Sequence, residues 1–103
     1  MDHAREPIAI VLRTRAEYRA ACQVRDATAR DLFYMQAEGD ASEEVVAVLS
    51  RQVEALDLAL ANYQAQPRWR RLLRWGDGLG ALSFGEAMTL FESELDRLRG
   101  RRA

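Results

Sequence analysis

Two short stretches of punctuation constrain this chain more than anything else in it. The first is Glu38-Gly39-Asp40-Ala41-Ser42-Glu43-Glu44, and the second runs from Gly76 through Asp77, Gly78, Leu79, Gly80, Ala81, Leu82, Ser83, Phe84 and Gly85 to Glu86. Glycine takes the left-handed conformation that ends a helix at little steric cost. Ser or Asp then accepts an orphan N–H of the following helix. Asp40-x-x-Glu43 and Ser83-x-x-Glu86 both have capping-box spacing. A chain so divided is a set of helices, and a connection this short folds the first two back on each other. The predicted fold is all-α: an antiparallel helical hairpin within a small bundle of three to five helices. We expect a single domain over residues 1–103, frayed at 1–6 and 100–103.

Apolar periodicity fills in the segments. Pro7 suits the first turn of a helix, and Ile8, Val11, Leu12 and Ala16 follow at helical spacing. Tyr18, Cys22, Ala29, Leu32 and Phe33 carry the stripe on, with Ala21, Val24, Thr28 and Met35 as a second stripe beside it. A break near Thr14–Ala16 would divide this region into a short helix and a longer one. After Gly39, Asp40 or Ser42 can cap the next helix, whose stripe is Val45, Leu49, Val53, Leu56, Leu60 and Tyr63. Pro67 ends or kinks it. Residues 68–75 read as a short helix with Trp69, Leu72 and Leu73 inward. The last stripe is Phe84, Ala87, Met88, Phe91, Leu95 and Leu98. A break at Gly76–Gly80 and one continuous helix over 68–99 both fit the pattern. No strand alternation stands out.

Composition excludes more than it assigns. Charged residues are 30% of the chain and hydrophobic ones 49%, as in a folded protein. Much of that apolar share is Ala, which has little area to bury, so we expect self-association or docking on a partner to complete the core. Net charge is −1, with residues 1–65 at −4 and residues 66–103 at +3. All fifteen basic residues are Arg. No apolar run approaches the roughly 20 residues of a membrane span, and no secretory signal is visible. A cytoplasmic location is the resulting expectation.

Catalytic chemistry finds no footing. His3 lies in the polar N-terminal stretch, and Ser42 and Ser83 sit where caps are needed. Gly76-Asp77-Gly78-Leu79-Gly80 lacks the Lys and Ser/Thr of a phosphate loop. Cys22 is the only cysteine, and its neighbours Ala20, Ala21 and Val24 suit a small core residue. Glu92 and Asp96 lie one turn apart without the Glu-x-x-His pattern of helical carboxylate metal sites. Glu92, Glu94, Asp96, Glu17, Asp26 and Asp31 read as solvated acids, with Glu17 and Asp26 paired to nearby arginines. We therefore expect no enzyme, no cofactor and no metal. The one alternative with chemical content is Arg68, Arg70, Arg71 and Arg74 interleaved with Trp69 and Trp75, a pattern able to bind RNA or DNA by phosphate contacts and base stacking.

The order of elements resembles the YlbF/YmcA-type helical proteins, the control of competence regulator family. Ile8 through Tyr18 is similar to that family's opening, a short apolar helix followed by an acid–aromatic pair, here Glu17-Tyr18. Met35 through Val45 resembles its Gly-acid, polar, Glu-Glu-Val hairpin, and Val46 to Leu98 follows its apolar phase. Some relatives hold iron–sulfur clusters with several cysteines, which a chain with Cys22 alone does not supply. The resemblance implies a non-enzymatic, oligomerising cytoplasmic regulator that binds other proteins and modulates an RNA-processing endoribonuclease complex. It supplies no catalytic residues. The expected contacts with a protein partner or a second copy, as in a dimer, are Val45, Leu49, Leu56, Tyr63, Trp75, Phe84 and Phe91.

Overall fold

A computed structural model describes residues 8–39, 42–65 and 81–100. Among these, β1 spans Ala9–Val11, α1 Arg15–Glu38, α2 Glu43–Ala65, β2 Ala81–Ser83 and α3 Phe84–Gly100. The chain is mostly helical as expected. The strand pair was not expected. β1 and β2 run parallel, with Ala9 opposite Ala81, Ile10 opposite Leu82 and Val11 opposite Ser83.

β1 corrects the helix expected over Ile8 to Leu12. The burial there has a period of two: Ile10 and Leu12 are buried, while Ala9 is exposed and Val11 half-buried. Ile8, Ile10 and Val11 are β-branched and stiff at χ1, which favours the extended state. A helix of this length would be marginal by itself. Ile10, absent from the helical stripe, is a core residue at 6% exposure.

The helix boundaries follow from side-chain caps. Thr14, extended at φ −125° and ψ 162°, caps α1 by accepting the Glu17 N–H at 3.0 Å. Glu17 reaches back to accept the Arg13 N–H at 2.7 Å, so it serves the backbone and not an arginine side chain through that bond. Gly39 closes α1 at φ 75°, with its N–H donating to the Met35 carbonyl at 3.0 Å. Ser42 caps α2 by accepting from the Val45 N–H at 3.1 Å; Asp40, the other candidate, lies outside the described residues. At α3 the capping box closes in both directions. Ser83 accepts the Glu86 N–H at 3.2 Å, and Glu86 accepts the Ser83 N–H at 3.0 Å. α3 continues through Gly100, where fraying was expected, and Arg97 and Arg99 in its last turn oppose the negative end of the helix dipole.

α2 sits at the centre, packed against α1, β1 and α3. Its buried face is Val45, Val48, Leu49, Gln52, Ala55, Leu56 and Ala59, wider than a single stripe, and it is shared by several neighbours. α1 buries Ala21 and Thr28, so its second apolar stripe, not the first, forms the centre of its inward face. Phe33, placed on the first stripe, is 65% exposed. α3 buries Ala87 and Phe91, with Phe84, Met88, Leu95 and Leu98 packed partly against the core, as its periodicity predicts. Ile10, Leu12, Leu56 and Phe91 bring strand and helices into one apolar cluster. No helix among the described residues is long and apolar enough to cross a membrane.

Two adjacent residues test this packing. Phe91 is 1% exposed and Leu90 41% exposed. Phe91→Ala should cost about 3–5 kcal/mol in urea unfolding. Leu90→Ala should cost about 0.5 kcal/mol. Equal losses would show that the core does not lie on the Phe91 face of α3.

Candidate functional site

The residues expected at a partner interface divide by burial. Leu56 and Phe91 are the largest fully buried side chains, and Val45 and Leu49 are buried at 9% and 6% exposure. Phe84 is half-buried against the core. Tyr63 is half-buried and stacks on Tyr18, with ring centroids 4.8 Å apart. Gln64 donates to the Tyr18 hydroxyl at 2.5 Å on the same seam. These side chains are sheltered by the chain's own helices. Trp75 lies outside the described residues, as do Trp69, the arginines at 68, 70, 71 and 74, Pro67 and the glycines from 76 to 80.

Other apolar side chains do face outward. Phe33 is 65% exposed, Tyr34 57%, Leu58 51% and Leu90 41%. Phe33 and Tyr34 meet edge to face, 5.6 Å between centroids. Consecutive helix positions are separated by about 100°, so two adjacent aromatics cannot both point at α2. That spacing was the available signal for an outward aromatic, and stripe counting passes over it.

A cleft of about 390 Å³ opens between the first turns of α2 and the last turns of α3. Glu43, Glu44, Ala47, Val48, Arg51, Glu94, Arg97 and Leu98 line it. Arg51 Nη2 donates to Glu94 at 3.2 Å, and Arg97 approaches the other Glu94 oxygen at 4.0 Å. Glu94, expected to be a solvated acid, thus bridges two helices. The buried Arg51 Nε has no hydrogen-bond partner within the described residues. Glu43 and Glu44 place negative charge at the positive end of the α2 dipole. Its polar lining is carboxylates and guanidinium groups, with no hydroxyl, thiol or imidazole among the residues that line it. Its charges are positioned to hold helices together.

A second polar seam joins α1 to α2. Arg25 Nε donates to Asp57 at 2.7 Å, and Arg25 Nη1 lies 3.3 Å from Asp26. Hydrogen bonding to Asp57 raises the Arg25 pKa above its ordinary value, the Asp57 charge adds to this, and Asp26 contributes less. A raised cationic pKa means the stabilisation is fully present below the unfolded value and fades only as pH climbs through the folded one. Arg25 therefore stays charged across the neutral range, and the seam responds to salt more than to pH.

Cys22 is half-buried on α1. Among the described residues no group of three or more His, Cys, Asp or Glu side chains is placed to hold a metal ion. Glu92 and Asp96 are exposed. No known protein family, no curated protein and no solved structure matches this chain.

The cleft yields a direct test of its role. Glu94→Gln removes the counter-charge of a largely buried guanidinium and should cost roughly 1–3 kcal/mol. The paired change Arg51→Met with Glu94→Leu should cost less than Glu94→Gln alone, because it leaves no unmatched charge. Denaturant midpoints measure both. A double variant less stable than the single one would remove the structural assignment of this ion pair.

Proposed function

We propose that the chain is a non-enzymatic regulatory or adaptor protein that works in the cytoplasm through helix-mediated contacts with other polypeptides, its own copy included. The supporting observation is the Phe33–Tyr34 pair, two large aromatic side chains left exposed although the chain has a buried core of its own. Isolated surface leucines such as Leu58 and Leu90 are ordinary. Adjacent aromatics present rigid apolar area at low entropic cost, which is what contact anchors require.

On this reading α1 and α2 form an antiparallel hairpin that displays the pair. Two contacts support that arrangement: Tyr18 in the first turn of α1 meets Tyr63 near the end of α2, and Arg25 further along α1 meets Asp57 further back on α2. The similarity to control of competence regulators in Glu17-Tyr18 and in the Gly39 to Val45 turn suggests an RNA-processing endoribonuclease complex as the target. The ion-pair cleft plays a structural part in this reading.

Affinity capture from the native host, with mass spectrometry and with and without nuclease, tests it. The wild-type chain should retain a specific protein in both samples. Phe33→Ala combined with Tyr34→Ala should reduce retention about tenfold or more. Equal retention by both chains would overturn the proposal. Retention lost on nuclease treatment, and lost again when Arg70, Arg71 and Arg74 become Glu, would replace it with nucleic-acid binding at the Arg/Trp segment.

A further inference from the structure

α1 is the helix with the most surface left over. It has 24 residues and buries two of them, Ala21 and Thr28, whereas the 23 residues of α2 include seven that are buried. At roughly 100° per residue, the line opposite Ala21 and Thr28 passes through Arg19, Gln23, Asp26, Arg30 and Ala37, all of them exposed. Phe33 and Tyr34 straddle that line. An outward face roughly 36 Å long thus carries an acid and a base one turn apart, and an aromatic pair one turn further on.

We propose that this face is the contact between two copies of the chain, with α1 packed antiparallel against α1 of the second copy about a two-fold axis level with Thr28. The inference rests on the reading of the protein as a contact-making module, and it names the occupant of the aromatic face. Charge complementarity selects the second copy. In an antiparallel register that sets Asp26 opposite Arg30 of the other copy, Arg30 necessarily faces the other Asp26, so one pairing is made twice. A two-fold interface is self-complementary in this sense. The same register lays Phe33 and Tyr34 over Cys22 and Gln23 of the second copy, filling the half-buried flank where Cys22 lies. Both charges are available for it. Arg30 has no ion pair among the described residues. Asp26 uses only Oδ1 on Arg25. Leu58 and Leu90, on α2 and α3, stay outside this contact.

The experiment is light scattering on the purified full chain, with charge reversals and a cross-link. The wild-type chain should be a dimer. Asp26→Arg and Arg30→Asp should each weaken it about tenfold or more, and the two together should restore it, because the swapped charges face each other again. Independently, Phe33→Cys with the native Cys22, which lies on the same flank of the outward line, should give a disulfide-linked pair of chains under mild oxidation, and Cys22→Ser in that background should abolish the link. A wild-type chain that is monomeric even in the most concentrated sample overturns the proposal. So does a dimer that ignores both charge reversals and forms no link between positions 22 and 33. A monomer that still captures a cellular protein through Phe33 and Tyr34 sinks the two-fold contact and leaves the adaptor reading standing. A charge-sensitive dimer that captures nothing does the reverse.

Discussion

The structure depends on one broad buried face of α2 that three other elements share. Val45, Leu49 and Leu56 alone would make a one-sided helix, content with a single neighbour. Val48, Gln52, Ala55 and Ala59 widen the buried face, and the small side chains among them let neighbouring elements approach closely. α1, α3 and β1 all pack against α2. Phe91 and Leu56 close the apolar cluster that results. β1 and β2, each three residues long, would not hold together in isolation. They persist because Ile10 and Leu12 are buried in the same cluster, with Leu82 packed against it.

Polar contacts then select among the ways such helices can slide. Arg25 to Asp57, Arg51 to Glu94 and Gln64 to the Tyr18 hydroxyl each join positions far apart in the chain. Buried Gln52 meets the Met88 sulfur at 3.8 Å, giving its amide a weak acceptor inside an otherwise apolar face. Apolar stripes rich in Ala tolerate a slip of one turn with little change in buried area. A guanidinium and a carboxylate that must meet do not tolerate it. Net stabilisation by exposed pairs is small; their larger contribution is to make one register better than its neighbours.

Local signals were legible in the sequence, and non-local ones were not. The αL conformation at Gly39, the Ser42 cap, the Ser83–Glu86 box and the inward face of α3 all depend on residues within four positions of one another. β1 depends on a partner near the far end of the chain, so its five-residue apolar run read equally well as helix. Glu94 looked like an ordinary surface acid because its partner, an arginine on another helix, carries no mark in the local pattern; the role of Glu17 is local, and Thr14-x-x-Glu17 has the capping-box spacing that marks it. On α1, Tyr18, Cys22, Ala29 and Phe33 made the more apolar stripe, yet Ala21 and Thr28 are the buried pair. The two fully inward positions carry small side chains, and larger ones such as Tyr18 and Val24 pack beside them against the core.

That inversion on α1 bears on the candidate site. A stripe of spaced apolar residues states only that a face avoids water. It does not distinguish a face covered by the same chain from one covered by another. Leu56 and Phe91 satisfied the same spacing rule that suggested an interface, and the fold absorbs them. Phe33 keeps to the first stripe of α1 and Tyr34 lies beside it, and the fold leaves both out. In a helix whose inward line is set by small residues, a large side chain displaced from that line has no place in the monomer core. Its retention on the surface keeps apolar area in water. Stripe membership alone therefore does not sort α1 into core and surface: Phe33 obeys the spacing and is exposed, and what separates it from Leu56 and Phe91 is the position of the inward line set by Ala21 and Thr28.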